Sequence, residues 1–285
     1  MSTTDEVVNV PAVVDEATRS GRSRALLVGS LMLGTIAAAG LFAPWLTPHD
    51  PLAQDLSATL ASPSATHLLG TDHLGRDVLT RLLYATRIDL LIGVGAVITP
   101  FVVGTLLGAI AGYVGGRVDL AISAVTDMVM AFPYYVLIIA LVFSLGPGIP
   151  SIFIAMAIVA WVSYARIVRG EVTSARTQEY VLAARALGYS HARILLRHIL
   201  PNVITQPIVY AMSDIVVIIV GVVTLSWLGL GVPPPTPDWG AMIQAGQPFL
   251  TSHWQLSTIP GVAVILVGLA FSLIGDGLTQ KLRPT

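Results

Sequence analysis

Long apolar runs alternate along the chain with shorter polar segments. Six runs stand out, at residues 25–42, 90–111, 120–145, 152–168, 203–228 and 258–274. Each is close to the ~20 residues that a helix needs to cross a bilayer's hydrocarbon core. The pattern divides the chain into a polar tail (1–24), a first transmembrane helix (25–43), a hydrophilic segment (44–87) and a core (88–285) with five more spans. The tail reads as disordered. The basic flank and the Ala37-Ala38-Ala39 run match parts of a secretory signal. The apolar stretch is longer than such a signal's core and further spans follow, so an uncleaved anchor is expected. Phe132-Pro133 predicts a kink inside the third span. Gly93, Gly95, Gly104 and Gly108 in the second span are small enough to let another helix approach closely.

The polar segments carry periodicity of their own. Val78, Leu82 and Ala85 share a face opposite Asp77 and Arg81, which predicts an interfacial helix at the end of the first segment. Before it, Gly70 and Gly75 permit tight turns, and Asp72, Arg76 and Asp77 can form a local ion network. That network reads as structural bracing or as a substrate contact. Residues 170–202 interrupt the spans with Arg176, Glu179, Arg185, Arg193 and Arg197, charges too costly for hydrocarbon. Tyr180, Ala183, Ala184 and Leu187 recur at i, i+3, i+4 and i+7, the spacing of an amphipathic helix. Gly188 ends that helix, Ser190 is placed to cap a second one, and Pro201 is expected to close it. A helix–glycine–helix outside the membrane with one apolar face is a docking device or a solvated loop. In residues 229–257, four prolines among Pro233, Pro234, Pro235 and Pro237 stiffen the chain, and Trp239 and Trp254 suit a membrane–water boundary. The stretch reads as part of an outer gate or as a rigid connector.

Composition agrees with this layout and removes several chemistries. The chain is 54% hydrophobic and 11% charged, against about a quarter charged in soluble domains. The net charge of −1 gives no argument for nucleic acid, and the absence of cysteine removes disulfides and thiol chemistry. The single lysine, Lys281, has no glycine-rich loop before it, so this polypeptide is not itself a P-loop ATPase. Six spans put both termini on one side. With the N-terminus inside, the inner segments hold Arg19, Arg22, Arg24, Arg117, Arg166, Arg169, Arg176, Arg185, Arg193, Arg197, Lys281 and Arg283. The outer segments hold only Arg76, Arg81 and Arg87. The positive-inside rule therefore makes both termini and the 170–202 loop cytoplasmic.

The string Ala183-Ala184 … Gly188 … Ile199-Leu200-Pro201 resembles the cytoplasmic "EAA" loop of bacterial ABC importer permeases. Arg166-Ile167-Val168-Arg169-Gly170-Glu171, Gly70-Thr71-Asp72 … Leu74-Gly75-Arg76-Asp77 and the proline-rich outer segment are similar to the dipeptide/oligopeptide/nickel branch. Leu182 stands where the loop's name expects an acid. The resemblance implies an all-α polytopic membrane protein with six transmembrane helices, the type I ABC importer permease fold, and a cytoplasmic coupling helix. It implies a non-catalytic permease in the bacterial inner membrane, with no cofactor of its own. ATP and Mg would sit on two ATPase subunits or one fused ATPase. A homologous second permease would complete a heterodimer, and an extracytoplasmic binding protein would deliver cargo, di- or oligopeptides first among the branch's solutes. The implied docking residues are Glu179, Tyr180, Ala183, Ala184, Arg185, Leu187 and Gly188.

Two acids lie deep in apolar runs, and an intramembrane carboxylate must face protein, water or a cation. Asp127 reads as packing glue, with Arg117 or another chain as its partner. Asp214 shares a helix face with Tyr210, Val217 and Gly221, extended by Thr224 and Leu228. Tyr210, Asp214, Gly221 and Thr224 are therefore candidate pathway residues, with Asp214 meeting a substrate's positive end. Similar permeases often carry a glutamate where this chain has Val222-Val223-Thr224. Two other classes stay open at this point. An intramembrane protease would need an acid dyad or a zinc motif; no HExxH occurs, Leu273-Ile274-Gly275-Asp276 lacks the first glycine of GxGD, and no metal ligands are assigned. An ion-coupled transporter would be expected to show repeats between its halves, and none is evident.

Overall fold

The structure, a computed structural model, describes residues 13–281, with side chains for 24–279 and 281. Residues 1–12 of the expected tail and the last four of the chain lie outside the described residues. From Val13 the chain is already helical, in α1 (Val13–Leu41). Extending a formed span needs no new nucleus, and Pro11 is the nearest upstream breaker.

Five helical stretches are long and apolar enough to cross a membrane: Arg24–Leu41, Val78–Val114, Ile149–Ala175, Thr205–Trp227 and Gln255–Thr279. A bent pair, α4 (Gly116–Met130) and α5 (Tyr134–Leu145), meets the same criterion when taken together and turns by 84° around Phe132-Pro133, the geometry of a broken span or a re-entrant loop. The kink expected there is thus a full break. Among the described residues the regular structure is helical, with loops between and one isolated bridge between Thr71 and Asp77.

The first polar segment holds the short helix α2 (Ala43–Leu46) and a single turn at Leu56–Ala58. The interfacial helix expected at its end is not a separate element. Residues 78–87 are the first turns of α3 (Val78–Val114), which runs unbroken through the boundary expected near residue 88. Its 37 residues span about 56 Å. Val78 and Ala85 are buried in protein rather than laid on a membrane surface, because the preceding loop folds over them.

The glycines of α3 bring helices into close contact. A Cβ on Gly104, Gly108 or Gly112 would lie 2.3 Å, 2.4 Å or 2.7 Å from the carbonyl oxygens of Trp161, Ala165 and Arg169. Those residues belong to α7 (Trp161–Ala175), which continues α6 (Ile149–Val159). A glycine every four residues therefore seats α3 directly on the α7 backbone. Helix α11 (Thr205–Trp227) packs on α3 and on α13 (Gln255–Lys281), and α1 lines the outer side of α13. The main core gathers Ile92, Ile138, Ile152, Met156, Ile219 and Leu225 between these spans. Trp239 joins that core, fully buried, at the start of α12 (Trp239–Gly246). It is not the boundary anchor expected from sequence, whereas Trp254 is exposed.

Candidate functional site

Two places collect the residues singled out by sequence. The first is the polar loop after α7. Helix α8 (Glu179–Ala186) follows, and Gly188 at φ +76° turns the chain. The Gly188 N–H donates to the Arg185 carbonyl at 2.9 Å and the Tyr189 N–H to that of Ala184 at 3.2 Å. These two bonds define a Schellman stop, which needs the left-handed backbone that glycine adopts freely. Ser190 caps the next helix, accepting from the Arg193 N–H at 3.4 Å. So far the loop follows its sequence pattern.

Pro201 departs from it. The expected stop lies inside a nearly continuous path of α9 (His191–Ile194), a π-helical turn (Leu195–Ile199), α10 (Leu200–Val203) and α11. Proline has no N–H to give to the preceding turn. The wider turn absorbs that loss, with the Leu200 N–H donating to Leu195 O. The helices of the loop are thereby continuous with α11.

The face of α8 also differs from the one expected. Val181 and Ala184 point inward, into a second apolar core with Val168, Val172, Ile194, Ile199 and Val203. Tyr180, Ala183 and Leu187 face out, with Tyr180 40%, Leu182 50% and Leu187 71% exposed. Ala184 thus leaves the outer row and serves as an anchor. Glu179, Arg185 and Gly188 are exposed at the rim. Behind the helix, Arg185 lies over the Tyr113 ring at 5.6 Å and Tyr113 Oη bonds His191 Nδ1 at 3.0 Å. Arg176 donates to the Gly112 carbonyl at 3.0 Å, satisfying an end group of α3.

The second place is a cavity of about 370 Å³ between the spans, lined by Met130, Phe132, Tyr134, Ser163, Tyr210 and Asp214 among others. Asp214 is buried, and Tyr164 Oη donates to its Oδ2 at 2.8 Å. The rings of Tyr164 and Tyr210 meet edge to face at 5.0 Å. Tyr210 and Asp214 therefore come together as expected. Gly221 does not line this cavity; the Tyr135 ring lies over it. Thr224 is exposed elsewhere and bonds the Val220 carbonyl of its own helix.

Asp127 pairs with Arg166 at 2.9 Å, not with Arg117. Asp119 and Arg169 form a second, bidentate pair between α4 and α7. Because Asp127 is held by Arg166 and Asp214 by Tyr164, the two acids do not form a protease dyad.

At the opposite end of α3 the expected ion network forms in part: Asp72 and Arg76 pair, Arg81 joins them, and Asp77 turns to Thr80 and His67 instead. Asp72 Oδ2 accepts from Arg76 Nε at 2.7 Å and lies 3.7 Å from Arg81 Nε. Asp77 caps α3, accepting from the N–H and hydroxyl of Thr80, both at 2.7 Å. Burial pushes the Asp77 carboxyl up, but these bonds and His67 outweigh it and leave it below the usual carboxylate value.

Sequence reading missed Asp89. It is buried on α3 and its Oδ2 accepts from the Trp239 N–H at 2.9 Å. The available signal was its place on one helix face with Ala85, Ile92 and Ala96. Asp238, next to Trp239, caps α12 through the Ala241 N–H at 3.1 Å. Burial raises the Asp238 carboxyl above its usual value, against hydrogen bonds from Ala241, Ser226 and Gly240 and the charge of Arg81.

Six apolar segments, a helical loop outside them and a cavity between the spans that holds a buried acid fit a solute-conducting membrane component. The chain belongs to the family described as binding-protein-dependent transport system inner membrane component, whose model matches residues 104–285. A second model, the N-terminal TM domain of oligopeptide transport permease C, matches residues 21–63. The chain is 39% identical over 263 residues to the dipeptide transport system permease protein DppC of Alkalihalophilus pseudofirmus, covering 92% of this chain and 86% of that one. It is 40% identical over 254 residues to the nickel transport system permease protein NikC of Escherichia coli, covering 89% and 92%. The di/tripeptide transport system permease protein DppC of Pseudomonas aeruginosa is 38% identical over 268 residues, 92% of this chain and 88% of that protein. The chain is accordingly a multi-pass permease subunit of an ABC importer, and the protease and ion-coupled readings fall away.

Proposed function

We propose that this permease moves di- or oligopeptides across the bacterial inner membrane, driven by ATP that separate subunits hydrolyse. The observation that carries the reading is the exposed row Tyr180, Ala183 and Leu187 on a helix held from behind by its own apolar core. A row of this kind needs a partner to cover it. The ATPase subunit is that partner, with Glu179 and Arg185 at the rim and Gly188 setting the bend. ATP and Mg belong to the ATPase. The arginine balance along the sequence supports a cytoplasmic position for this end and for both termini.

A second, homologous permease completes the pathway. Leu120, Met128, Phe132, Val136 and Phe143 form an exposed apolar face on α4 and α5. The Asp127–Arg166 pair opens beside it with side chains 68% and 52% exposed, which lipid would not tolerate. A facing subunit and the water between the two supply the needed environment. The proline-rich loop at the other end receives an extracytoplasmic binding protein. In the cavity, Asp214 meets the peptide's amino terminus and the tyrosines hold its amides without tight selection.

The test is uptake into proteoliposomes holding this chain, its permease partner, the ATPases and a loaded binding protein. Peptide uptake is expected to require ATP, and Leu187→Glu is expected to abolish uptake while leaving the chain folded. Asp214→Asn is expected to reduce uptake of free-amino peptides more than that of N-acetylated ones. Unchanged uptake with both substitutions would overturn the docking and pathway assignments. The nickel-transporting relative motivates a parallel measurement with a nickel chelate; transport of that cargo alone would replace the peptide assignment.

A further inference from the structure

His49, His67 and Asp77 come from three separate stretches: the chain after α2, the following loop, and the cap of α3. Their ligand atoms lie within 4.8 Å of one another. His67 Nδ1 stands 2.9 Å from Asp77 Oδ2. The imidazoles of His49 and His67 stack at 4.7 Å. Asp77 is buried and the two histidines are half-buried, beside a cavity of about 290 Å³ to which His49 and Asp77 contribute. Asp77 Oδ1 is committed to Thr80, so Oδ2 is the oxygen turned toward the rings. None of this belongs to the docking loop or the cavity at Asp214.

We infer that His49, His67 and Asp77 form a binding site for a divalent first-row transition ion of the zinc or nickel type. The donor set is two imidazoles and a carboxylate, borderline ligands that suit these ions and leave a fourth position for water. Metal–ligand bonds of about 2.0–2.1 Å at tetrahedral angles hold donors roughly 3.3 Å apart. The His67–Asp77 separation is already close to that. The ion takes the place of the proton between these two atoms: a neutral His67 carries its ring proton on Nε2 instead, and a charged one releases the Nδ1 proton to solvent. His49 closes the remaining gap by exchanging the hydrogen bond from its Nε2 to the Thr66 carbonyl, 2.8 Å long and at the surface, for the ion. The stacked rings turn out of parallel to direct their lone pairs at one point. Bound, the ion ties the end of α1–α2 and the loop to the start of α3. Sequence alone assigned no metal ligands because these residues are 18 and 10 positions apart and match no spaced motif.

The experiment uses the full chain without a histidine tag, in detergent and chelator-treated. Zinc ions are added, and bound metal is counted by equilibrium dialysis and mass spectrometry. One equivalent of zinc is expected, with a rise in thermal unfolding temperature that calcium and magnesium do not give. His49→Gln is expected to weaken zinc binding at least tenfold and to remove the zinc-dependent rise measured against the variant's own metal-free unfolding temperature. His67→Gln is expected to weaken binding as much. Absence of stoichiometric zinc binding, or binding that survives both substitutions, overturns the site. Neither result bears on cargo or on ATPase docking.

Discussion

Gly188 is the residue on which the lever's shape turns. Its φ of +76° is a conformation that costs side-chain-bearing residues about 1–2 kcal/mol. A Cβ there would meet nothing within 4 Å, so the cost is purely one of backbone. Gly188→Val is therefore expected to leave the spans intact and misdirect α9 relative to α8. ATP hydrolysis in the complex should continue while uptake falls, and normal coupling in that variant would count against the lever. Gly108 presents the opposite case. Any side chain would collide with the Ala165 carbonyl, a rigid backbone group. Gly108→Leu should cost about 3 kcal/mol or more, as overpacking does, and lower the unfolding temperature in detergent. Asp238 carries a pH dependence. Its carboxyl titrates above the usual value when folded, so its contribution to stability is full below about pH 4 and is lost as pH rises through the raised value. Asp238→Asn keeps an oxygen for the Ala241 N–H and removes the ionisation. The variant should gain on the wild type in unfolding temperature as pH increases.

At the scale of elements, the segments most legible in sequence were those whose hydrophobic run was unambiguous. Five of the six runs lie along single long helical stretches and the third is divided between α4 and α5, because an apolar run in lipid satisfies its backbone locally as helix. The boundaries that moved were those where helix propensity continued past a composition change. Residues 78–87 look amphipathic and separate, yet no breaker stands between Val78 and Val114 other than Pro100, within the span itself. Pro201 looks like a stop because its missing N–H is visible in sequence, while the π-turn that tolerates it is not. Trp239 was misplaced for a related reason: tryptophan suits both a boundary and a core, and only the fold shows its ring enclosed in the apolar core and its backbone N–H donating to Asp89. The pathway stripe was half legible. Tyr210 and Asp214 are one turn apart and stay together, but Gly221 lies under Tyr135, a residue from another helix that periodicity along α11 cannot reveal.

Across the whole molecule, α3 ties the two ends together. At one end Asp89 holds the backbone of Trp239 and with it the proline-rich loop; at the other the Gly112 carbonyl holds Arg176, three residues before the start of α8. The glycine ladder presses the same helix onto α7, from which the lever emerges. A packed helical rod about 56 Å long is expected to move as a unit rather than bend, because close-packed interiors do not deform continuously. Contact with a loaded binding protein at the proline-rich loop is thus expected to reach the ATPase through α3. Asp89→Ala leaves the buried Trp239 N–H unpaired, at a cost of about 1–3 kcal/mol, and frees the loop from the rod. Asp89→Asn retains an acceptor oxygen and removes a buried acid. In proteoliposomes, Asp89→Ala should lose most of the stimulation of ATP hydrolysis by loaded binding protein while keeping basal hydrolysis, and Asp89→Asn should keep both. Full stimulation in the alanine variant would mean that the signal travels by another helix, with α13 beside α12 the next to test.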